Sequence, residues 1–224
     1  MYRARVDPGK LITIEGLDGA GKTTLAHALL GELRARGVRA ELLREPGGVE
    51  VSERIRALVQ DPALEVLART EALLYAAARA QLVEQRLRPL LNEGALVLLD
   101  RFVDSSLAYQ GAARGLGVEA VRAVNRFATG GLEPDRTLLL RVAPAVGRAR
   151  QRGREGDPDR LEREGEGFFA AIASAYEQLA RDEPGRIRTI DAEQEPALVL
   201  RDALAALDGL ARPGGHRQAG ALPH

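Results

Sequence analysis

A complete phosphate-binding loop near the N-terminus is the feature that most constrains how this chain can fold. Residues 16–23 read GLDGAGKT and match the pattern G-x-x-x-x-G-K-[ST]. The apolar run Leu11–Ile14 before the loop predicts a buried strand, and apolar residues recur at helical spacing from Leu25 to Leu33 after it. This order places backbone N–H groups at a helix N-terminus, where they bind phosphate. The alternative, a glycine turn that only caps a helix, is disfavoured by the strand and helix on either side.

The rest of the chain alternates short β-like runs with helical patterns. A helix is predicted over Glu71–Leu91, with Pro89 expected to end or kink it. Strands that alternate with helices favour an α/β fold, here a P-loop NTPase-type parallel sheet of about five strands with helices on both faces. The predicted strands are Leu11–Glu15, Val38–Leu43, Ala95–Leu99, Thr137–Val142 and Arg186–Ile190.

Composition excludes several classes of protein. The 32 basic and 32 acidic residues balance, so the chain lacks the net positive charge typical of nucleic-acid-binding proteins. Cysteine is absent, which excludes disulfides and cysteine-based metal sites. The polar start Met1–Lys10 is unlike a secretory signal, and no apolar run is long enough to span a membrane. We therefore predict a cytoplasmic protein without nucleic-acid or membrane partners.

Two segments differ from the rest of the chain in composition. Arg148–Arg163 is dense in charged residues and glycine, which predicts either a mobile charged lid or an ordinary solvated loop. The segment 212–224 is rich in glycine and proline and is predicted to be a disordered tail. We therefore expect a single domain over residues 1–211.

Residues near the predicted strand ends are candidates for phosphate and metal chemistry. Asp100 follows the third strand, where a carboxylate beside Thr23 of the loop could hold Mg²⁺. Arg101 could bind a phosphate through its planar guanidinium, although a surface salt bridge is the alternative. Tyr75 and Arg79 share a helix face and could hold a nucleobase or form a half-buried surface contact.

Five short segments resemble those of thymidylate kinases, and they follow one another along this chain in the same order as in the family. The resemblance runs from about residue 10 to about residue 200. Some positions depart from the family pattern, among them Val49, Ala78 and Phe102; an acid often stands at the position of Ala78. The segments are residues 16–24 (GLDGAGKTT), 44–48 (REPGG), 74–81 (LYAAARAQ), 100–111 (DRFVDSSLAYQG) and 159–162 (DRLE), followed by Phe168, Phe169 and Tyr176.

This resemblance implies transfer of the γ-phosphoryl group of ATP to dTMP, a step in dTTP biosynthesis, and a homodimer packed through helices. Lys22 and Thr23 would serve ATP and Mg²⁺, and Asp100 would assist with the metal. The implied ATP-binding residues are Gly16, Leu17, Asp18, Gly19, Ala20, Gly21, Lys22, Thr23 and Thr24. The implied substrate-binding residues are Asp18, Pro46, Tyr75, Arg79, Arg101, Ser106, Tyr109 and Gln110.

The resemblance also assigns individual roles at the substrate. Asp18 would accept a hydrogen bond from the 3′-hydroxyl of dTMP, and Arg101 would hold its phosphate. Tyr75 would stack on thymine while Arg79 donates to a thymine carbonyl. Tyr109 would disfavour a 2′-hydroxyl.

The family has two variants, which differ in where the catalytic arginines are found. One variant carries an arginine in the phosphate loop, where this chain has Gly19. The bacterial variant supplies arginines from the lid, which fits the arginines of 148–154, and we predict Arg150 and Arg154 as catalytic together with Lys22 and Arg101.

Two other functions stay open. The first is a kinase for another nucleotide or nucleoside on the same fold. The second is a nucleotide-gated switch, which the absence of N-K-x-D and L-S-G-G-Q segments disfavours.

Overall fold

A five-stranded parallel sheet forms the centre of the computed structural model, which describes residues 8–153 and 160–211. The strand order is β2-β3-β1-β4-β5, and every neighbouring pair is parallel. All five strands lie within a few residues of the predicted runs, so the predicted fold class is confirmed. The strands are β1 Lys10–Gly16, β2 Ala40–Arg44, β3 Leu96–Asp100, β4 Arg136–Arg141 and β5 Ile187–Asp191.

Helices connect these strands and cover both faces of the sheet. Two π-helical turns, Val83–Leu87 and Leu107–Ala113, interrupt the regular helices. The helices are α1 Lys22–Ala35, α2 Glu50–Gln60, α3 Ala68–Leu82, α4 Arg88–Asn92, α5 Val103–Ser106, α6 Val118–Thr129, α7 Pro144–Arg152, α8 Glu166–Asp182 and α9 Pro196–Ala206.

The core lies on both faces of the sheet because successive side chains of a strand point in opposite directions. Ile12 of β1 is fully buried in a cluster that includes Leu29 of α1. Its neighbour Leu11 belongs to a second cluster with Leu82 and Phe102. Central strands buried on both faces explain why the first and third runs are almost entirely apolar.

The helical run around Pro89 is longer than predicted. It extends from α3 through the π-helical turn Val83–Leu87 to the end of α4 at Asn92. Pro89 lies just after the π-helical turn and lacks the backbone N–H that a regular helix would use at this position. The predicted end of the helix at Pro89 is therefore wrong, and the predicted alternative, a kink at Pro89, stays a prediction.

The segment predicted as a charged loop begins as a helix. Arg148–Arg152 completes α7, which starts with Pro144 as its first residue and has arginines in its last turn. Both features favour a helix, since proline is pre-organised for the first position and cations interact well with the C-terminal dipole. Residues 154–159, which include the predicted catalytic Arg154, and the predicted disordered tail 212–224 lie outside the described residues.

Candidate active site

The phosphate loop crosses from β1 to α1 with its lysine folded over it. Gly21 precedes α1 with a left-handed backbone, φ 90°. The Lys22 ammonium donates to the carbonyl oxygens of Gly16 at 3.1 Å and Leu17 at 2.9 Å. Burial and the nearby charge of Arg101 lower the pKa of Lys22 to about 8, against the opposing effect of Asp18. An ammonium group has three N–H donors, and the third, which lies near Asp18 Oδ1 with Nζ 3.5 Å away, can bind a phosphate held in the loop.

Arg101 at the end of β3 points back into the same loop. Its guanidinium donates to Asp18, to the Gly16 carbonyl at 3.3 Å, to Ser105 Oγ at 3.0 Å and to the Tyr109 hydroxyl at 3.2 Å. The Tyr109 hydroxyl in turn donates to Asp18 at 3.0 Å. Burial opposes ionisation of Asp18, but Arg101 and Lys22 outweigh it and hold the pKa of Asp18 well below its ordinary value. Arg101 is therefore part of an enclosed charge cluster, not of a surface salt bridge.

The backbone of Arg101 is strained, and a buried acid stabilises the turn around it. Arg101 has φ 69°, a conformation that costs a non-glycine residue about 1–3 kcal/mol. Glu15 accepts the Phe102 N–H at 2.7 Å and the hydroxyls of Ser105 at 2.5 Å and Tyr176 at 2.8 Å. Burial and the charge of Asp104 raise the pKa of Glu15. Because Ser105 also accepts from Arg101, Glu15 stabilises the guanidinium as well as the backbone.

Thr23 and Asp100 provide neighbouring oxygen atoms beside the loop. The Thr23 hydroxyl donates to Asp100 Oδ2 at 3.0 Å, because β1 and β3 are adjacent and parallel. Within residues 8–153 and 160–211, no three His, Cys, Asp or Glu side chains form a metal-binding group. Hydroxyl and carboxylate oxygens suit Mg²⁺, which commonly completes its coordination with water and substrate phosphate. The two residues therefore fit a magnesium ion that arrives with a nucleotide.

Arg79 on α3 is buried and almost fully hydrogen-bonded. Its guanidinium donates to Glu45 at 2.7 Å, Ser106 at 2.9 Å, the Phe102 carbonyl at 2.9 Å and Asn125. Only 1% of Arg79 is exposed, so the surface-contact alternative is wrong. Glu45 orients the guanidinium from another segment of the chain although Ala78 stands at the family's acidic position. Burial raises the pKa of Glu45 to about 7 even though Arg79 opposes the shift.

One cavity of about 650 Å³ joins these groups. Its volume suits a small-molecule ligand of nucleotide size. Its lining combines the phosphate loop, the Asp100–Arg101 strand end and the residues predicted to hold a base. Every predicted substrate-binding and metal-binding residue lines it, namely Asp18, Thr23, Pro46, Tyr75, Arg79, Asp100, Arg101, Ser106, Tyr109 and Gln110.

The predicted lid arginines stand apart from this cavity. Arg150 does not line it, and its guanidinium donates to the Ala192 carbonyl at 2.9 Å. Arg148 lies over the ring of Phe169, 5.3 Å from its centroid. The catalytic role of Arg150 stays a prediction, as does that of Arg154 outside the described residues.

Three buried acids that hold the site together were not predicted from the sequence. Glu15 had a visible signal, since it is the one acidic residue in the predicted strand Leu11–Glu15, just before the loop. Glu45 was included in the segment 44–48 but was given no role, and Glu71 had no signal, because the partners of both acids come from distant segments. These acids therefore support the site through long-range hydrogen bonds, which local sequence patterns do not indicate.

Comparison with known proteins points to one family. A family model described as thymidylate kinase matches residues 14–203. Thymidylate kinase of Lactobacillus delbrueckii subsp. bulgaricus is 47% identical over 190 residues, covering 84% of this chain and 90% of that protein. Thymidylate kinase of Oenococcus oeni is 48% identical over 199 residues, covering 88% and 93%.

A solved structure supports the same relationship. The crystal structure of thymidylate kinase from Ehrlichia chaffeensis superposes with a TM-score of 0.74 at 27% identity, covering 89% of this chain and 99% of that one.

No helix among the described residues combines the length and the apolar character needed to cross a membrane.

Proposed function

The chain belongs to the thymidylate kinase family, and from this premise we propose that it transfers the γ-phosphoryl group of ATP to dTMP, giving dTDP and ADP on the route to dTTP. One observation carries the proposal. A single cavity contains a phosphate loop, an arginine–aspartate cluster and a part lined by the half-buried Tyr75 and the buried Arg79. The first binds a donor, the second suits an acceptor phosphate and the third suits a base.

The loop holds the donor through electrostatics. Backbone N–H groups at the start of α1 bind the phosphates of ATP, and the third N–H of Lys22 binds the transferring group. Thr23 and Asp100 are the residues that would hold Mg²⁺, which neutralises phosphate charge when bound. We keep Gly16–Thr24, the residues predicted from the sequence, as the proposed ATP-binding residues.

The acceptor is held by the cluster around Asp18. In this proposal the 3′-hydroxyl of dTMP donates to Asp18, and Arg101 binds the dTMP phosphate, whose oxygen attacks the γ-phosphorus as the bond to the β-phosphate oxygen breaks. A phosphate monoester has its second pKa near 6, so its oxygen is ionised at neutral pH and needs no general base. The protein contributes mainly position and charge.

The additional arginine of this chemistry comes from the lid in our proposal. Gly19 has φ 81°, and a Cβ there would lie 2.1 Å from the Gly147 carbonyl oxygen. The loop therefore has no room for an arginine at this position. We assign the role to Arg150 and Arg154 in a lid of about residues 148–163, within a single domain of residues 1–211.

We further propose a homodimer that forms through the packed helices α2, α3 and α6. Exposed apolar side chains lie on all three, including Leu58, Leu73 and Phe127, the last of them 91% exposed. Cytoplasmic localisation and the lack of nucleic-acid or membrane partners stay predictions.

The proposal is tested by ADP production from ATP and Mg²⁺ with dTMP, dUMP, dCMP, dGMP, UMP or thymidine as acceptor. We expect a strong preference for dTMP. Preference for another monophosphate would contradict the base assignment, and ATP binding by folded protein without any acceptor-dependent turnover would favour a nucleotide-gated switch.

A further inference from the structure

Glu71 is a buried acid on α3 that two other segments contact, the stretch with Gln110 and Arg114 and the turn with Arg160. Its side chain is 0% exposed, and it lies on α3 one turn before Tyr75. It accepts from Gln110 Nε2 at 2.8 Å, from Arg114 at 3.2 and 3.3 Å, and from Arg160. Two arginines compensate the charge of one buried carboxylate, which leaves Gln110 as its neutral partner.

This contact fixes which end of the Gln110 amide faces the cavity. A carboxylate only accepts hydrogen bonds, so the amide nitrogen must face Glu71. A flipped amide would place two oxygens together and lose the bond. Gln110 lines the cavity, and its carbonyl oxygen is therefore the end left to accept a hydrogen bond from a ligand.

Arg79 presents the opposite chemistry in the same cavity. A guanidinium has five N–H donors. Four are used by Glu45, Ser106, Asn125 and Phe102 among the described residues, and one N–H on Nη2 remains. The remaining N–H of Arg79 and the carbonyl oxygen of Gln110 match the O4 acceptor and the N3–H donor of thymine or uracil. At the same two positions cytosine presents an amino donor and a ring-nitrogen acceptor, which do not match.

We propose that Glu71 is a positioning residue for base selection, which sets Gln110 as an acceptor and thereby excludes cytosine. The inference rests on the proposed use of this cavity for a pyrimidine monophosphate. Arg160 holds the other oxygen of Glu71 and is itself fixed, since its Nε donates to the Val59 carbonyl at 3.0 Å. The turn at residues 160–163 thus supports the base pocket through Glu71.

Equilibrium binding of dTMP and dCMP by calorimetry tests this inference without depending on turnover. In E71Q the new amide can donate or accept, so Gln110 can flip, and we expect the dTMP-over-dCMP affinity ratio to fall about 10- to 100-fold. E71D still only accepts and should keep the preference even if both ligands bind more weakly. E164Q is the matched control, because Glu164 pairs with Arg114 but does not contact Glu71.

The outcomes separate this inference from the proposed function. An unchanged ratio in folded E71Q, or a wild-type protein that binds dCMP as well as dTMP, overturns the role of Glu71. Wild-type protein that prefers dTMP but makes no dTDP overturns the proposed function alone. If E71Q does not fold, side-chain NMR of the wild-type protein tests the inference through the amide protons of Gln110. Their signals are assigned as those that are absent in Q110L. Its protons should exchange slowly with water, and exchange as fast as in free glutamine overturns the inference.

Discussion

Replacing Gly19 by alanine measures how closely the phosphate loop packs against α7. A Cβ at position 19 would lie 2.1 Å from the Gly147 carbonyl oxygen and 2.8 Å from its carbonyl carbon. The backbone at φ 81° disfavours an L side chain by about 1–2 kcal/mol. Overpacking at the contact adds about 1–3 kcal/mol, because the neighbour is backbone and must move as a unit. We expect G19A to lose about 2–5 kcal/mol of unfolding free energy from the two effects.

Gly21→Ala is the matched control for this change. Gly21 has a similar backbone, φ 90°, but a Cβ there would have nothing within 4 Å. It should therefore lose only the backbone cost of about 1–2 kcal/mol. In a chain of this size 1 kcal/mol corresponds to about 2–4 °C, so G19A should melt about 2–12 °C below G21A. The assay is calorimetric unfolding of both variants without nucleotide.

Equal melting temperatures for G19A and G21A would refute the close packing of loop and helix. Gly147→Ala provides an independent check. Its Cβ would lie 2.8 Å from the Asp18 carbonyl oxygen, and its helical backbone carries no left-handed strain. A destabilised G147A supports the contact, whereas the modest gain expected for alanine in a free helix would contradict it.

Three further predictions concern the charge cluster and the exposed helices. The pKa of Lys22 is lowered to about 8, so its ammonium loses its charge and kcat/KM for ATP should fall as pH rises through 8. In K22R the same fall should occur at higher pH. A flat pH profile of the wild type up to pH 9.5 would contradict this. D18N should raise the KM for dTMP about tenfold or more while ATP affinity changes little, because Arg101 loses its negatively charged partner. Steady-state kinetics and calorimetry measure the two effects, and equal losses for both ligands would count against the role of Asp18. F127E should convert a dimer to monomers in analytical ultracentrifugation, and a monomeric wild type would rule out the proposed dimer.

The strands and the phosphate loop could be predicted because local patterns determine them. An apolar run buried on both faces has the same appearance wherever it lies in the sheet, and the loop motif needs only a strand before it and a helix after it. Asp100 and Arg101 were predictable for the same reason, since they follow a central strand and the ligand crevice lies at the carboxyl ends of such strands.

The supporting contacts could not be predicted, because they join residues that are distant in the chain. Arg79 takes its orienting acid from Glu45 and a further partner from Asn125, and neither pairing leaves a periodic trace in the sequence. The helix at Arg148–Arg152, where a charged lid or loop was predicted, was missed for a different reason. Its arginines indicate a solvated surface, but arginine is also a good helix former, and composition does not separate a charged helix from a charged loop.

The central place of β1 has a consequence for how the chain is made. Among the described strands β1 is synthesised first, yet its neighbours are β3 and β4, so Lys10 pairs beside Leu96 and Ile12 beside Arg136. A nascent chain that has emerged only to the end of α3 therefore holds the whole phosphate-loop motif but neither strand that flanks it. Nucleotide cannot stabilise such an intermediate through the native site, and the loop becomes a binding site only after β3 and β4 have left the ribosome.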